Sequence, residues 1–491
     1  MTLPQCENPN AQQCIGSSGP GWLDRILRPV AVIPKMCQGS KEVTQAPNST
    51  AETADAKNTS PPMWATTLRA LRHRNFQLFF SGQLISLVGT WMQNVAQAWL
   101  VYRLTGSALL LGAVGFSSQI PVLLVAPIGG ITADRSNRQR LVIATQAASM
   151  ILAAILAGLT LSRRVEVWHI FVLAALLGVV NAFDIPARQS FLIDMVGREH
   201  LMNAIALNSS IFNGARVVGP AVAGILVVKI GEGSCFAANA VSYIAVIAGL
   251  LLMKVECPPR SKSSSPLADI VEGFRWAHSV KVIRALLLLI GLVSLVGMPY
   301  TVLMPVFADK ILHGGARGLG ILMGATGVGA LFGALTLASR EGVKGLGRLA
   351  AWSCAGFGIG LVLFSLSRWF WLSTVLLLPI GYSVMLQMAS TNTLIQTMVP
   401  DQLRGRVMAL YSMMFMGMAP FGALLGGALA ERMGAPVTVA VGGVACLLGA
   451  IWFGRELPVL RIEARRMIVA QGLAGGEPEQ ELNAQPVEEE T

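Results

Sequence analysis

Twelve stretches of this chain are each apolar over about 20 residues, the length a helix needs to cross the hydrocarbon core of a bilayer. They fall at roughly 77–102, 108–132, 141–161, 167–187, 203–229, 234–254, 282–306, 317–339, 349–366, 370–392, 407–431 and 436–455. A run of that kind leaves few structural options. In hydrocarbon every backbone amide must find its partner within the protein, and a continuous apolar run does so as a helix. Charged residues make up only 13% of the 491, where a soluble domain carries about 25%, and 51 glycines allow helices to approach closely. The predicted fold class is therefore an all-α polytopic membrane protein with twelve transmembrane helices.

The formal charge of +11 would suit a nucleic-acid binder, but the basic residues cluster in short connectors between apolar runs, and no basic patch is interleaved with stacking aromatics. With both termini on the cytoplasmic side, the inner connectors and tails collect roughly 23 Lys and Arg against about 8 outside. The inner clusters are Arg69/Arg72/Arg74, Arg135/Arg138/Arg140, Lys254 through Arg284, Arg340/Lys344/Arg348, Arg404/Arg406 and Arg455 through Arg466. An odd number of spans would scramble this segregation, so the expected placement is the cell inner membrane, multi-pass, with both ends in the cytosol. Seven scattered cysteines form no CxxC pair or His-spaced cluster, so neither a metal site nor a disulfide framework is indicated. The absence of a G-x-x-x-x-G-K-[ST] run argues against an ATP-driven motor, and no cofactor is expected. The five histidines neighbour no Ser or Cys in a nucleophile setting, so an enzyme is not indicated and no catalytic residue is assigned.

Residues 1–62 are too rich in Pro, Ser, Thr, Asn and Gln to bury a core and read as a disordered cytoplasmic tail. Met63, just before Trp64-Ala-Thr-Thr-Leu-Arg69, offers a second start; mass analysis finding residues 1–62 in the native protein would reject it. The spans then divide into bundles at 63–254 and 282–457, joined by a cytoplasmic linker at 255–281 and followed by a tail at 458–491. Pro258-Pro259-Arg260 through Pro266 is flexible by composition, and Leu267–His278 reads as a surface helix. An internal echo supports two related halves. Phe191-Leu-Ile-Asp-Met-Val196, then Ala206-Leu207 and Ser209, is matched by Leu394-Ile-Gln-Thr-Met-Val399, then Ala409-Leu410 and Ser412. A substrate path between such halves is the natural inference.

The most specific local pattern lies between the second and third spans, Gly129-Gly130-Ile-Thr-Ala-Asp134-Arg135-Ser-Asn137-Arg138-Gln139-Arg140. It resembles the cytoplasmic loop signature of the major facilitator superfamily, Gly-x-x-x-Asp-Arg-x-Gly-Arg-Arg. Asn137 replaces the second Gly, a mild departure if the position is a left-handed turn, which Asn tolerates. Gln139 replaces one Arg. The resemblance implies a conformational latch made of Gly130, Asp134, Arg135, Arg138, Arg140 and Asp184. In it Asp134 caps a helix of the other half, Arg138 pairs with Asp184, and the outward-facing state is held. Arg74-Asn-Phe-Gln-Leu-Phe-Phe-Ser-Gly-Gln83, Leu104-Thr-Gly-Ser107, Asp184-Ile-Pro-Ala-Arg-Gln-Ser-Phe191 and Ala215-Arg216-Val-Val-Gly-Pro-Ala-Val-Ala-Gly224 narrow it. They resemble the branch that contains enterobactin exporters, also called transmembrane secretion effectors, and the likeness covers roughly 64–460. What this implies is efflux of a small organic molecule such as a siderophore or drug, with a proton as coupling ion and a monomer in the lipid bilayer. The family does not fix the cargo. A lipid or lysolipid flippase of the same fold, and a membrane partner protein that transports nothing, are the alternative readings.

Gly219-Pro220 with Gly214 and Gly224 looks like the Gly-Pro signature of the fifth helix of antiporters, a bend that packs on the eighth. The eighth span answers with Gly320, Gly324, Gly327, Gly329 and Gly333. Close packing alone would also explain both sets. Arg216 lies near the middle of the fifth span, where a charge faces a cavity or a partner by default; recognition of an anionic or carbonyl-rich substrate and satisfaction by a broken neighbouring helix both remain open. Polar residues recur at helical spacing on three spans. They are Gln83, Ser86, Thr90, Gln93 or Asn94, and Gln97 on the first, Ser209, Asn213 and Arg216 on the fifth, and Ser383, Gln387, Ser390 and Thr391 on the tenth. The candidate cavity set is Gln83, Thr90, Asn94, Gln97, Asn213, Arg216, Ser383 and Gln387; interhelical hydrogen bonding is the competing use of each stripe. Met408, Met413, Met414, Met416 and Met418 on the eleventh span suit a polyspecific wall or plain packing. No acid sits centrally in a span as drawn, which leaves Asp184, near the inner end of the fourth, as the main coupling candidate, with Asp309 and Glu431 as helix-end charges.

Overall fold

A computed structural model describes residues 68–470 apart from 198, 254, 256–265 and 341. The tail at 1–62, the Pro258–Ser265 connector and the acidic end Glu477–Glu490 lie outside the described residues. Among the described residues, twelve long helical segments follow one another. They are α1 Arg74–Thr105, α2 Ala108–Arg135, α3 Arg138–Leu161, α4 Val167–Val196, α5 Leu201–Ile230 and α6 Glu232–Leu252, then α7 Lys281–Ile311, α8 Gly315–Ala338, α9 Leu346–Leu366, α10 Phe370–Met398, α11 Asp401–Met433 and α12 Ala435–Ala470. Eleven of these are long and apolar enough to cross a membrane. The exception is α1, 32 residues long but diluted by Gln77, Gln83, Gln93, Asn94 and Gln97. The predicted surface helix is present as Pro266–Ser279 and lies on α11, where Glu272 pairs with Arg406 at 2.6 Å.

The boundaries follow from local chemistry. Gly106, at φ +63°, ends α1 in a left-handed cap, a conformation that a Cβ would strain. The Ser107 hydroxyl then caps α2 by accepting from Leu110 N at 3.3 Å. Asn137 caps α3 in the same manner, its side chain accepting from Arg140 N at 3.1 Å. Its φ is −68°. The departure from Gly at this position is thus a helix cap, and the left-handed turn expected there does not occur.

Two segments run further than the apolar runs suggested. α4 continues through Pro186 to Val196, so Asp184 lies three turns inside the helix and not near its end. Membrane helices accept an internal proline when their neighbours satisfy the freed carbonyl. α12 continues through Pro458 to Ala470, well past the boundary placed at 457, and Glu463 on this extension accepts from Val282 N in the first turn of α7 at 3.2 Å. α7 itself is irregular. Its first 12 residues are α-helical, and from Val293 it passes through π and 3-10 turns around Pro299 and Pro305. Irregular backbone at this depth is tolerated because the segment is buried in protein or lines a cavity.

A similar pattern of packing recurs among the first six helices and among the last six. α1 lies on α5 and α6, α3 on α4 and α6, and α2 on α4; likewise α7 lies on α11 and α12, α9 on α10 and α12, and α8 on α10. Two extensive pairs join the groups, α2 with α11 and α5 with α8. Both are crossings of small residues. A Cβ on Gly320 would stand 2.6 Å from Pro220 O and 2.7 Å from Gly224 Cα, and one on Gly427 would stand 2.6 Å from Ala108 O. Without hydrophobic driving force in lipid, this backbone-to-backbone contact is what holds helices together. The connectors rich in arginine lie at the end of the bundle where α1 begins, hereafter the basic end.

Candidate functional site

Between the first six and the last six helices lies a cavity of about 760 Å³, large enough for a drug-sized molecule. Trp91, Asn94 and Gln97 of α1, Ser118 and Gln119 of α2, Asn181 of α4, Arg216 of α5, Tyr300 and Thr301 of α7, Thr326 of α8 and Ser412 of α11 supply its polar and aromatic lining. Met298, Met304, Met323, Met413 and Met416 supply much of the apolar remainder. Thioether side chains are flexible and polarizable, so a wall of them adapts to differently shaped ligands.

Arg216 is the one charged residue in this lining, and no carboxylate faces it there. Among the described residues it makes no ion pair. Its guanidinium carbon lies 5.8 Å from the centroid of the Trp91 ring, which is itself braced edge-on by Phe212 at 5.7 Å. A cation at the centre of a spanning helix costs about 2.5–3.5 kcal/mol on insertion scales, and a cation–π contact returns about 0.5–2 kcal/mol. Tyr300 adjoins Arg216 and is 1% exposed; its hydroxyl lies near that of Thr326, which donates to Leu322 O at 3.1 Å.

The expected cavity residues divide. Asn94, Gln97 and Arg216 line it. Gln83, at 3% exposed, is packed within the first six helices. Thr90 and Asn213 bond back to their own helices, at Ser86 O and Ser209 O, 3.0 and 2.8 Å away. The α10 stripe is a correction: Ser383 faces Gly356 of α9, and Gln387, Ser390 and Thr391 are wholly buried. α10 packs on α8 and α9, which leaves that polar face no route to the cavity. Gln93 serves as glue, accepting from Asn239 of α6 at 2.7 Å. Gln119 and Asn181 are not in the expected set, although each is a lone amide within a spanning stretch, the signal in the sequence that points to them.

The latch set requires a second correction. Arg138 pairs with Asp194 at 2.6 Å, not with Asp184. Asp184 pairs with Arg188 one turn on, at 2.5 Å, and accepts from Thr145 and Gln146 at 2.8 and 2.9 Å. Residues 184 and 194 are about 15 Å apart along α4, and Arg138 starts α3 beside the last turn of α4. It can reach only the later acid. Arg135 and Arg140 are exposed, a Cβ on Gly130 would meet open space, and Asp134 makes no ion pair among the described residues.

At the opposite end the two groups of helices are clamped. Glu431, at the end of α11, accepts from Ala108 N at 2.9 Å, Ser107 Oγ at 3.1 Å and Leu109 N at 3.2 Å, the unpaired donors that begin α2. A carboxylate there both fills those donors and meets the positive end of the helix dipole. Beside it, Lys310 of α7 donates to Gly106 O at 3.3 Å and stands 5.8 Å from the Tyr102 ring. Phe116 and Phe421 meet edge-on at 5.9 Å just below. The predicted helix-end charge at Glu431 is thus a contact between the first and last six helices.

A family model described as transmembrane secretion effector matches residues 65–485. Among curated proteins, the staphyloferrin A transporter of Staphylococcus aureus is 29% identical over 394 residues, covering 78% of this chain and 97% of that protein. The multidrug efflux pump Tap of Mycolicibacterium fortuitum is 27% identical, covering 74% and 90%. The enterobactin exporter EntS of Shigella boydii is 26% identical over 404 residues, covering 82% and 96%. Two solved structures share the fold at low identity. The nucleoside transporter NupG aligns with a TM-score of 0.59 at 15% identity over 79% of this chain and 99% of its own. The POT family transporter PepTSo aligns with a TM-score of 0.60 at 11% identity over 79% and 99%.

Proposed function

Because the chain belongs to the transmembrane secretion effector family, a branch of the major facilitator superfamily whose members here are transporters and not enzymes, we propose that it exports a small organic molecule across the inner membrane by alternating access. α1 is the twelfth span in this reading, and the first and last six helices are two halves that rock about the cavity. The basic end faces the cytosol, as the positive-inside rule requires, and both termini lie there. The amides that keep α1 below the apolarity of the others include Asn94 and Gln97, which line water and cargo rather than lipid.

The observation that carries this reading is the placement of the contacts between the halves. Glu431 on the start of α2, Gly112 against Ala423 and Gly427, and Gly320 against Gly224 all lie on the far side of the cavity from the basic end. That arrangement is closed outside and suits loading from the cytosol. In the alternate state Asp134 would cap a helix of the second half, as the family motif implies; among the described residues it makes no ion pair, which suits an open closure at that end. Efflux of a labelled substrate from proteoliposomes holding the purified chain tests the function; no movement beyond protein-free vesicles, for siderophore and drug probes alike, would reject it.

The outer clamp makes a separate prediction. Glu431→Gln removes a charge from the α2 N-terminus, worth about 0.3–1 kcal/mol, and should raise the outward-open population about two- to fivefold. Spin-label distances across the far ends of α2 and α11 would read that change. An unaltered distribution would mean that the contact does not bias the equilibrium.

Proton coupling, in this reading, runs through Asp184. It is 2% exposed, hydrogen-bonded on both sides and set against Arg188, so a proton gained or lost there redistributes charge inside the first half. Asp184→Asn should abolish the dependence of efflux on an imposed pH gradient while substrate binding persists. Gradient-driven efflux at the unsubstituted rate would remove Asp184 from the coupling.

A further inference from the structure

From the charge balance of the cavity we infer that the cargo is an organic anion, one or two carboxylate or sulfonate groups on an aromatic or otherwise apolar body. The inference rests on the export reading and deepens it by naming the chemical class.

Arg216 is 15 residues from the start of α5 and 14 from its end, as deep in the membrane as a side chain of this helix can be. The acids that might have neutralised it are committed elsewhere. Asp184 is held by Arg188, Asp194 by Arg138, and Glu232 by Arg103 at 2.7 Å. Glu431 sits on the α2 N-terminus, and Asp309 lies beside Tyr102 at the same end. None of them lines the cavity. A central guanidinium without a counter-ion is costly in this environment, and the π face of Trp91 offsets only part of that cost. The rest can come from a ligand, most fully from one that brings negative charge.

The surroundings of Arg216 are arranged for such a ligand. The guanidinium offers a planar fork of donors that matches a carboxylate or sulfonate. The Tyr300 hydroxyl beside it is buried and can donate to the same group. Asn94 and Gln97 add amides on the α1 side, while Trp91 and the methionines leave the remainder apolar. A cation of the same shape would meet like charge and no acceptor of full negative charge. Neutral amphiphiles could fill the volume and would leave Arg216 unpaired.

The test uses three probes with one aromatic body: 2-naphthoxyacetate, its neutral amide, and the corresponding trimethylammonium ether. Binding to the full chain is measured by equilibrium dialysis in phosphatidylcholine nanodiscs. The expected result is an anion affinity at least tenfold above the amide, with the cation weakest. Arg216→Gln should remove that tenfold preference, and Arg216→Lys should restore part of it. The ranking on the unsubstituted protein decides the matter even if a variant does not fold. Amide or cation binding as tight as the anion, or an equal loss of all three on Arg216→Gln, would overturn the proposal, and so would no binding of any of the three. If phosphatidylglycerol in the discs abolishes naphthoxyacetate binding, the site belongs to a lipid headgroup and the small-molecule assignment falls. Counterflow in proteoliposomes separates the two readings: transport of the cation alone leaves export standing and sinks the anion, whereas an anion bound but never moved does the reverse.

Discussion

Gly320→Leu is expected to stop efflux and leave the far end of the protein open to solvent. A Cβ at this position would already sit 2.6 Å from Pro220 O and 2.7 Å from Gly224 Cα, backbone atoms with no rotamer into which to retreat. A leucine adds three more carbons at the point where α8 and α5 touch. Overpacking of a tight contact costs about 1–3 kcal/mol even where side chains can shift, and here helices would have to separate. The strain falls on the arrangement in which these backbones meet, so 3 kcal/mol would move a two-state equilibrium by a factor of about 150 toward the open form. Labelling of a cysteine placed at Leu319 by a membrane-impermeant maleimide should rise as efflux falls. Two controls fix the cause. Gly324→Ala meets nothing nearer than Val217 O at 3.8 Å, and Gly214→Ala meets nothing within 4 Å, so both should transport normally. Full efflux by Gly320→Leu would mean that the α5–α8 contact is no part of the cycle.

Much of this was legible because the information is local. Twelve apolar runs, the glycines facing one another on the fifth and eighth, and the solitary Arg216 are statements about single helices, and a helix fixes its own face. What depended on which helix lies beside which was not available in the same way. The polar stripe of α10 is as regular as that of α1, yet α10 is enclosed by α8 and α9 whereas α1 borders the cavity. Gln387 and Asn94 cannot be told apart by spacing. Pro186 and the polar run after it look like a terminus of α4, and in a bundle neighbours carry the helix on to Val196. Those nine further residues move Asp184 from a helix end to the interior and make Asp194 the partner of Arg138. Glu431 reads as an ordinary terminal charge because nothing in its own helix points to α2, more than 300 residues earlier in the chain.

The Arg138–Asp194 pair carries the other large expectation. Arg138 is 1% exposed, its Nη1 is 2.6 Å from Asp194 Oδ2, and its Nε and Nη2 have no hydrogen-bonded partner. Burial of an ion pair is costly to build, and removing one member leaves the other charged and unsolvated. Asp194→Leu or Arg138→Met alone should therefore destabilise the protein by about 3–5 kcal/mol, whereas the double substitution, which leaves no orphan charge, should recover most of that loss. A thermodynamic cycle on thermal midpoints in detergent would show coupling well above the additivity error of about 0.3–0.5 kcal/mol. The same cycle between Arg138 and Asp184 should close to within that error, since Asp184 already holds Arg188 about 15 Å away along α4. Strong coupling to Asp184 with none to Asp194 would restore the pairing the family motif implied. The two unpaired nitrogens give the pair a further consequence. They leave the guanidinium donors for a second partner, so Arg138→Met/Asp194→Leu should regain its thermal midpoint without regaining efflux if those donors are used when the basic end closes.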